Sequence, residues 1–168
     1  PAGAAETKNE ITVAVASTFT TMDPWNATDT LSQAVAKSFY EGLFKFDRAM
    51  NVVPSLAESA ESSPDGMQHV VHLRRGVKFH DGTTFTAEAV KANFDRITTP
   101  GSTLKRFFLF ENVASLKELD PYTVRFTLKR PNSAFINRLA HPSAVMICPK
   151  SLSEKEVSIA FHPCGTGP

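Results

Sequence analysis

The spacing of apolar positions along this chain changes several times, and each change marks an element. Ile11-Thr12-Val13-Ala14-Val15-Ala16 alternates branched apolar with small residues and predicts a strand. Asp29 or Thr30 can cap a helix running to about Leu43, with Leu31, Val35 and Phe39, spaced by four, and Ala34 as its apolar face. Gly42 and then Asp47-Arg48 mark its stop. From Leu56 to Val90 the pattern reads strand, turn at Pro64-Asp65-Gly66, strand over Val70–Leu73, Gly76 turn, short strand, Asp81-Gly82 turn and helix start. Thr86 is the expected cap of that helix, and Val90, Phe94 and Ile97 fall on one face. Thr98-Thr99-Pro100-Gly101 breaks it. Alternation over Val113–Leu119 and Thr123–Leu128, around Asp120-Pro121, predicts a hairpin with Val124, Phe126 and Leu128 facing inward. A short helix near Ala134–Leu139, a buried strand at Ala144–Ile147 and a last helix opening at Ser151 or Ser153 complete the chain. The whole is mixed α/β.

Composition narrows the function classes. With 168 residues the chain is long enough for a domain with its own core. Lys plus Arg exceed Asp plus Glu by 18 − 17 = 1, so no charge excess points to nucleic acid. No apolar run approaches the roughly 18 residues of a membrane-spanning helix. The opening Pro1-Ala2-Gly3-Ala4-Ala5-Glu6 lacks an apolar core of the kind a signal peptide carries, and fits the mature end left after cleavage or a remnant of expression. Cys148 and Cys164 lack the CxxC spacing of a redox or zinc site. They are either bridged, as an oxidising compartment favours, or two buried thiols.

Candidate chemistry is sparse. Ser17, Thr18, Phe19, Thr20 and Thr21 follow the first predicted strand, where open α/β sheets hold their ligands, and form either a ligand lip or a satisfied turn. Trp25 reads as packing. In Leu104–Phe110, Arg106 is either a solvated cation or a clamp for a ligand carboxylate, to which its planar guanidinium is suited. No serine or cysteine sits in a G-x-S-x-G elbow, and no catalytic residue is assigned. Gly165-Thr166-Gly167 lacks the Lys-Ser/Thr of a phosphate loop. His69 and His72, three apart in a strand, face opposite sides and make a poor metal pair. All five histidines read as structural, and no metal or cofactor is expected.

Taken together, Leu56-Ala57-Glu58, Asp65-Gly66, Leu73-Arg74-x-Gly76-Val77-x-Phe79-His80-Asp81-Gly82 and Phe85-x-Ala87-x-x-Val90 resemble the signature of the family 5 solute-binding proteins of bacterial ABC importers. Within that family, Phe19–Pro24, Asp29–Tyr40, Leu104-Lys105-Arg106, Ser133–Asn137 and Leu139–Pro142 are similar to the glutathione-binding members. The resemblance implies a type II periplasmic-binding-protein fold in which two lobes close non-covalently on glutathione or a short peptide and dock on a membrane permease. A periplasmic location follows, with lipid anchoring left open. It also implies an amino-terminal fragment: residues 1–30 open lobe I, 31–164 form its small inserted subdomain, and 165–168 turn back toward lobe I. Lobe II is missing. A haem or nickel receptor of the same fold, and a stand-alone interaction fragment, are the alternatives. The two cysteines are not part of the family pattern.

Overall fold

The alternating stretches pair into a four-stranded antiparallel sheet. In this computed structural model, which describes residues 14, 15, 17–153 and 157–167, the elements run in order. They are α1 (Thr30–Ala36), β1 (Phe44–Phe46), β2 (Val52–Pro54), β3 (Ala57–Ser62), β4 (Gln68–Leu73), α2 (Ala87–Thr98), β5 (Val113–Asp120), β6 (Thr123–Leu128), α3 (Phe135–Leu139), α4 (Pro149–Ser153) and α5 (Val157–Phe161), with a 3-10 turn at Phe107–Leu109. The sheet order is β3-β4-β6-β5, and β1-β2 form a separate hairpin. Asp65-Gly66 and Asp120-Pro121 make the connections that the sequence predicts, with Gly66 at φ 66°. That left-handed conformation suits a residue without Cβ.

Period-2 alternation decides which face is inside. His69, Val71 and Leu73 of β4 and Val124, Phe126 and Leu128 of β6 are buried, while neighbours on the other face are partly open. Helix α2 packs against β5 and β6 through the predicted stripe of Val90, Phe94 and Ile97. Phe94 meets Phe126 edge-on at 4.8 Å and Phe110 at 5.1 Å. Each such ring, once buried, stabilises the fold by about 1.5–3 kcal/mol. Trp25, fully buried, joins the cluster through Phe94 and Phe110.

Asn93 is the polar exception on the buried face of α2. Its Nδ2 donates to the Ala89 and Ile147 carbonyls (2.9 and 2.8 Å), and its Oδ1 accepts the Ile147 N–H (3.0 Å). One amide thus acts as the strand partner of the 144–147 segment. All four residues of that segment are buried, but only Val145 forms a β-bridge, to Gly42.

Several expectations are corrected. The first helix ends at Ala36, not near Leu43, because residues 38 and 39 already bond back three residues and Gly42 must reach Val145. Its buried face is Ser32 and Ala36, continuing into Tyr40; Leu31, Val35 and Phe39 are half-buried and Ala34 is exposed. Thr86 does cap α2 by position, but its hydroxyl makes no capping bond. The stretch around Lys78 is a tight loop with one bridge to Thr84 rather than a strand. The late helix starts at Pro149, so Ser153 ends it instead of opening it. The predicted strand at residues 11–16 lies, apart from Ala14 and Val15, outside the described residues.

Candidate functional site

Residues 17–29 carry almost no regular structure, so their shape depends on side-chain hydrogen bonds. Asp29 caps α1: its Oδ1 accepts the Ser32 N–H at 2.7 Å. Its Oδ2 accepts the Thr20 hydroxyl, also at 2.7 Å. These bonds, with the Thr20 contribution largest, hold the Asp29 carboxyl down at about 2, against an ordinary 3.8. Ser32, fully buried, accepts the Thr20 N–H at 2.9 Å and the Thr21 N–H at 3.4 Å. Thr21 in turn accepts the Asp23 N–H through its hydroxyl.

Asp23 anchors the other end of this lip. Its carboxylate accepts the Trp25 N–H at 3.1 Å and the Asn26 side chain at 2.9 Å. It also takes a fork from Arg96 of α2, at 3.2 and 2.6 Å. The pair is nearly dry, with side-chain exposures of 13% for Arg96 and 3% for Asp23. Removing one member of such a pair strands a buried charge, at about 3–5 kcal/mol. Nearby Tyr40 is buried, with its hydroxyl directed at the Cys164 backbone. Burial, with the Asp23 charge second, pushes its pKa far above the ordinary tyrosine value.

The predicted site residues therefore divide. Ser17, Thr18 and Phe19 are exposed and form no backbone hydrogen bond with other described residues. Thr20 and Thr21 use their polar groups to fix the loop. Arg106 joins the far side of the same segment, donating its N–H to Trp25 O (3.1 Å) and its Nε to Ala27 O (2.9 Å). Its charge also faces His141, whose pKa is lowered first by burial and then by Arg106. Of the phenylalanines beside it, Phe110 is buried and Phe108 is 54% exposed.

A second constellation sits where the chain turns back. Gly165 N–H donates to His80 Nδ1 at 3.3 Å, and His80 N–H donates to Gly165 O at 2.9 Å. His80 Nε2 donates to Gly167 O at 2.8 Å, and Gly167 N–H donates to Phe39 O at 3.0 Å. The tautomer that fits both backbone partners carries its hydrogen on Nε2 and leaves Nδ1 to accept. Thr166 adds a bond to Glu41. A Cβ on Gly165 would lie 2.2 Å from Phe39 O, so this glycine is set by close approach and not by phosphate. The sequence hid this role because His80 and its partners lie 85 and 87 positions apart.

Cys148 and Cys164 form a disulfide with Cα atoms 5.4 Å apart. Among the described residues, Asp81 with these cysteines is a grouping of metal-ligand type, but the sulfurs are spent on each other. A cavity of about 320 Å³, lined in part by Lys37, Glu41, Lys45 and His141, lies beside Tyr40 and Phe44. No helix among the described residues is long and apolar enough to cross a membrane.

Residues 51–168 match the family described as bacterial extracellular solute-binding proteins, family 5 middle. The glutathione-binding protein GsiB of Escherichia coli O1:K1 is 56% identical over 159 residues, which are 95% of this chain and 31% of that protein. The chain thus spans about a third of the length of the relatives it matches. Among solved structures, the binding protein AgaA of A. tumefaciens R10, in complex with agropinic acid, superposes with a TM-score of 0.84 at 32% identity. That match covers 90% of this chain and 30% of AgaA. DppA of Helicobacter pylori, an ABC transporter-associated periplasmic binding protein in complex with the peptide STSA, gives 0.76 at 29% identity, over 89% of this chain and 34% of DppA. The fold is part of a type II periplasmic binding protein, and the relatives are binding proteins rather than enzymes. With a family match over more than half its length, this chain belongs to the family 5 bacterial extracellular solute-binding proteins.

Proposed function

We propose that this chain supplies one wall of a periplasmic receptor that holds glutathione or a short peptide non-covalently for an ABC importer and its membrane permease. The observation that carries the reading is the lip: a loop pinned by Ser32, Asp29 and Asp23, with Ser17, Thr18 and Phe19 left outward and open-bonded. A backbone with no hydrogen bond to other described residues suits main-chain recognition of a peptide-like ligand, and the exposed Phe19 beside it suits an apolar or thiol-bearing side chain. Similarity to the glutathione-binding protein GsiB supports the choice of ligand. In this reading residues 1–30 and 165–168 belong to lobe I and 31–164 to its inserted subdomain. Arg106, with Nε committed to Ala27, turns its Nη groups to a ligand carboxylate.

The test is calorimetry with glutathione on a complete receptor containing this chain, and on the chain alone. A ligand gripped from two sides loses its second set of contacts in the chain alone, at a cost above about 4 kcal/mol, or roughly a thousandfold in affinity. Sub-micromolar binding by the chain alone, or no binding by the complete receptor, contradicts the reading. In the complete receptor Arg106→Ala weakens glutathione by about 1.5–3 kcal/mol through loss of a charged hydrogen bond. An unchanged dissociation constant returns Arg106 to a purely structural role.

A further inference from the structure

The disulfide stands where the lip and the returning turn are both tied down. Cys148 N–H donates to Cys164 O at 2.9 Å, so the chain leaves the bridge directly into Gly165, Thr166 and Gly167 and their bonds to His80, Glu41 and Phe39. The loop that the bridge closes also holds the lip: Ala160 O accepts the Met22 N–H at 3.2 Å, one residue beyond Thr21. Cys148 is fully buried, and Cys164 is half-buried. An oxygen of the Asp81 carboxylate lies within 4.8 Å of both sulfurs. Bonds from the Thr83 hydroxyl and N–H, at 2.6 and 2.9 Å, hold Asp81 ionised, and Lys150 is the cation nearest in influence to it.

We propose that the Cys148–Cys164 disulfide is a redox latch on the lip, opened by low-molecular-weight thiols and guarded by the Asp81 carboxylate. The latch rests on reading residues 17–21 as the ligand lip, but its opening is defined without any ligand. A thiolate attacks the more accessible Cys164 Sγ, forming a mixed disulfide and expelling Cys148 as thiolate. A second thiolate attacks the small-molecule sulfur of the mixed disulfide, giving the oxidised dimer and releasing Cys164. Two thiols are oxidised, the bridge takes up two electrons, and each cysteine gains a proton at neutral pH. Asp81 repels the incoming anion and disfavours the negative charge that grows on either sulfur. Once open, the bridge no longer fixes Ala160 or Gly165, so Met22 and the turn are released while the α2–sheet core keeps its packing.

The test is amide hydrogen exchange on the unliganded chain, oxidised and after reduction with dithiothreitol. Reduction lowers protection about tenfold or more at Met22, Gly165 and Gly167, and leaves Phe94 and Ile97 in α2 unchanged. Equal protection in both states overturns the latch, as does loss of α2 protection along with the rest, which makes the bridge a staple of the whole fold. Cys148→Ser with Cys164→Ser reproduces the reduced pattern without added thiol; if that variant does not fold, the reduced native chain supplies the same reading. With glutathione as the reductant, Asp81→Asn opens the bridge about fourfold faster, the effect of one charge near 5 Å in water. An unchanged rate removes the guard. Because no ligand enters the exchange experiment, failure of glutathione binding leaves its result standing.

Discussion

Where α2 crosses the sheet, Phe94 meets Phe126 at 4.8 Å and no polar group is needed to hold the contact. At the lip, Thr20 meets Ser32 and Asp29 through hydrogen bonds of 2.9 and 2.7 Å, and four of its neighbours are exposed or half-exposed. The first region is held by non-directional burial, which tolerates small shifts and resists solvent. The second is held by directional bonds, each worth about 0.5–1.5 kcal/mol net, which fix a shape at little cost in area. A receptor needs both. In the proposed receptor, the core is what keeps the wall standing, and the bonded loop is what holds backbone in one orientation without covering it.

The largest effect should come from breaking the core. Phe94→Ala removes a ring packed against Trp25, Phe110 and Phe126, and is expected to cost about 4 kcal/mol in thermal or urea unfolding. A loss under about 1 kcal/mol would mean that the cluster collapses easily and the contrast is overstated. Arg96→Met comes next, at about 3 kcal/mol, because it leaves the Asp23 carboxylate buried without its partner. Restoring stability by adding Asp23→Asn would show that stranded charge, rather than lost packing, sets the cost.

Ser32→Ala sharpens the comparison instead of breaking the fold. It removes the acceptor for two lip N–H groups and should cost about 1–2 kcal/mol, with faster amide exchange at Thr20 and Thr21 but not in β4 or β6. Exchange that rises equally in the sheet would show that lip and core are one unit. The smallest effect is in pH. Burial lowers the pKa of His69, and burial with Arg106 lowers that of His141. Both imidazoles therefore take up protons more readily in the unfolded chain. Stability should fall as pH drops below about 6.5, the unfolded value, and level off below the folded values. His69→Phe, against the ring of Phe135, should flatten part of that slope; an unaltered slope assigns it elsewhere.

This contrast also explains what could be read from the sequence. Val124, Phe126 and Leu128, and Val90, Phe94 and Ile97, declare their faces by period alone, because burial is written in local spacing. The end of α1 was not legible: it depends on Gly42 reaching Val145, a contact with a segment far along the chain. Ser32 looks like an ordinary helix serine until Thr20 is placed above it. His80 reads as a turn residue until the Gly165–Gly167 backbone closes on it. Polar anchors carry no periodicity: Asp29 was legible as a helix cap, but its second bond, to Thr20, was not.

If the proposed function is right, ligand meets the polar-anchored lip and not the rest of the surface. Amide chemical-shift mapping of the chain titrated with glutathione into the millimolar range tests it most directly. Shifts are expected at the Ser17, Thr18 and Phe19 amides and in the Arg106 guanidinium, whose Nη groups meet the carboxylate, with little change in β4 or β6. Shifts confined to the cavity beside Lys37, Glu41 and Lys45, with residues 17–19 unmoved, would contradict it.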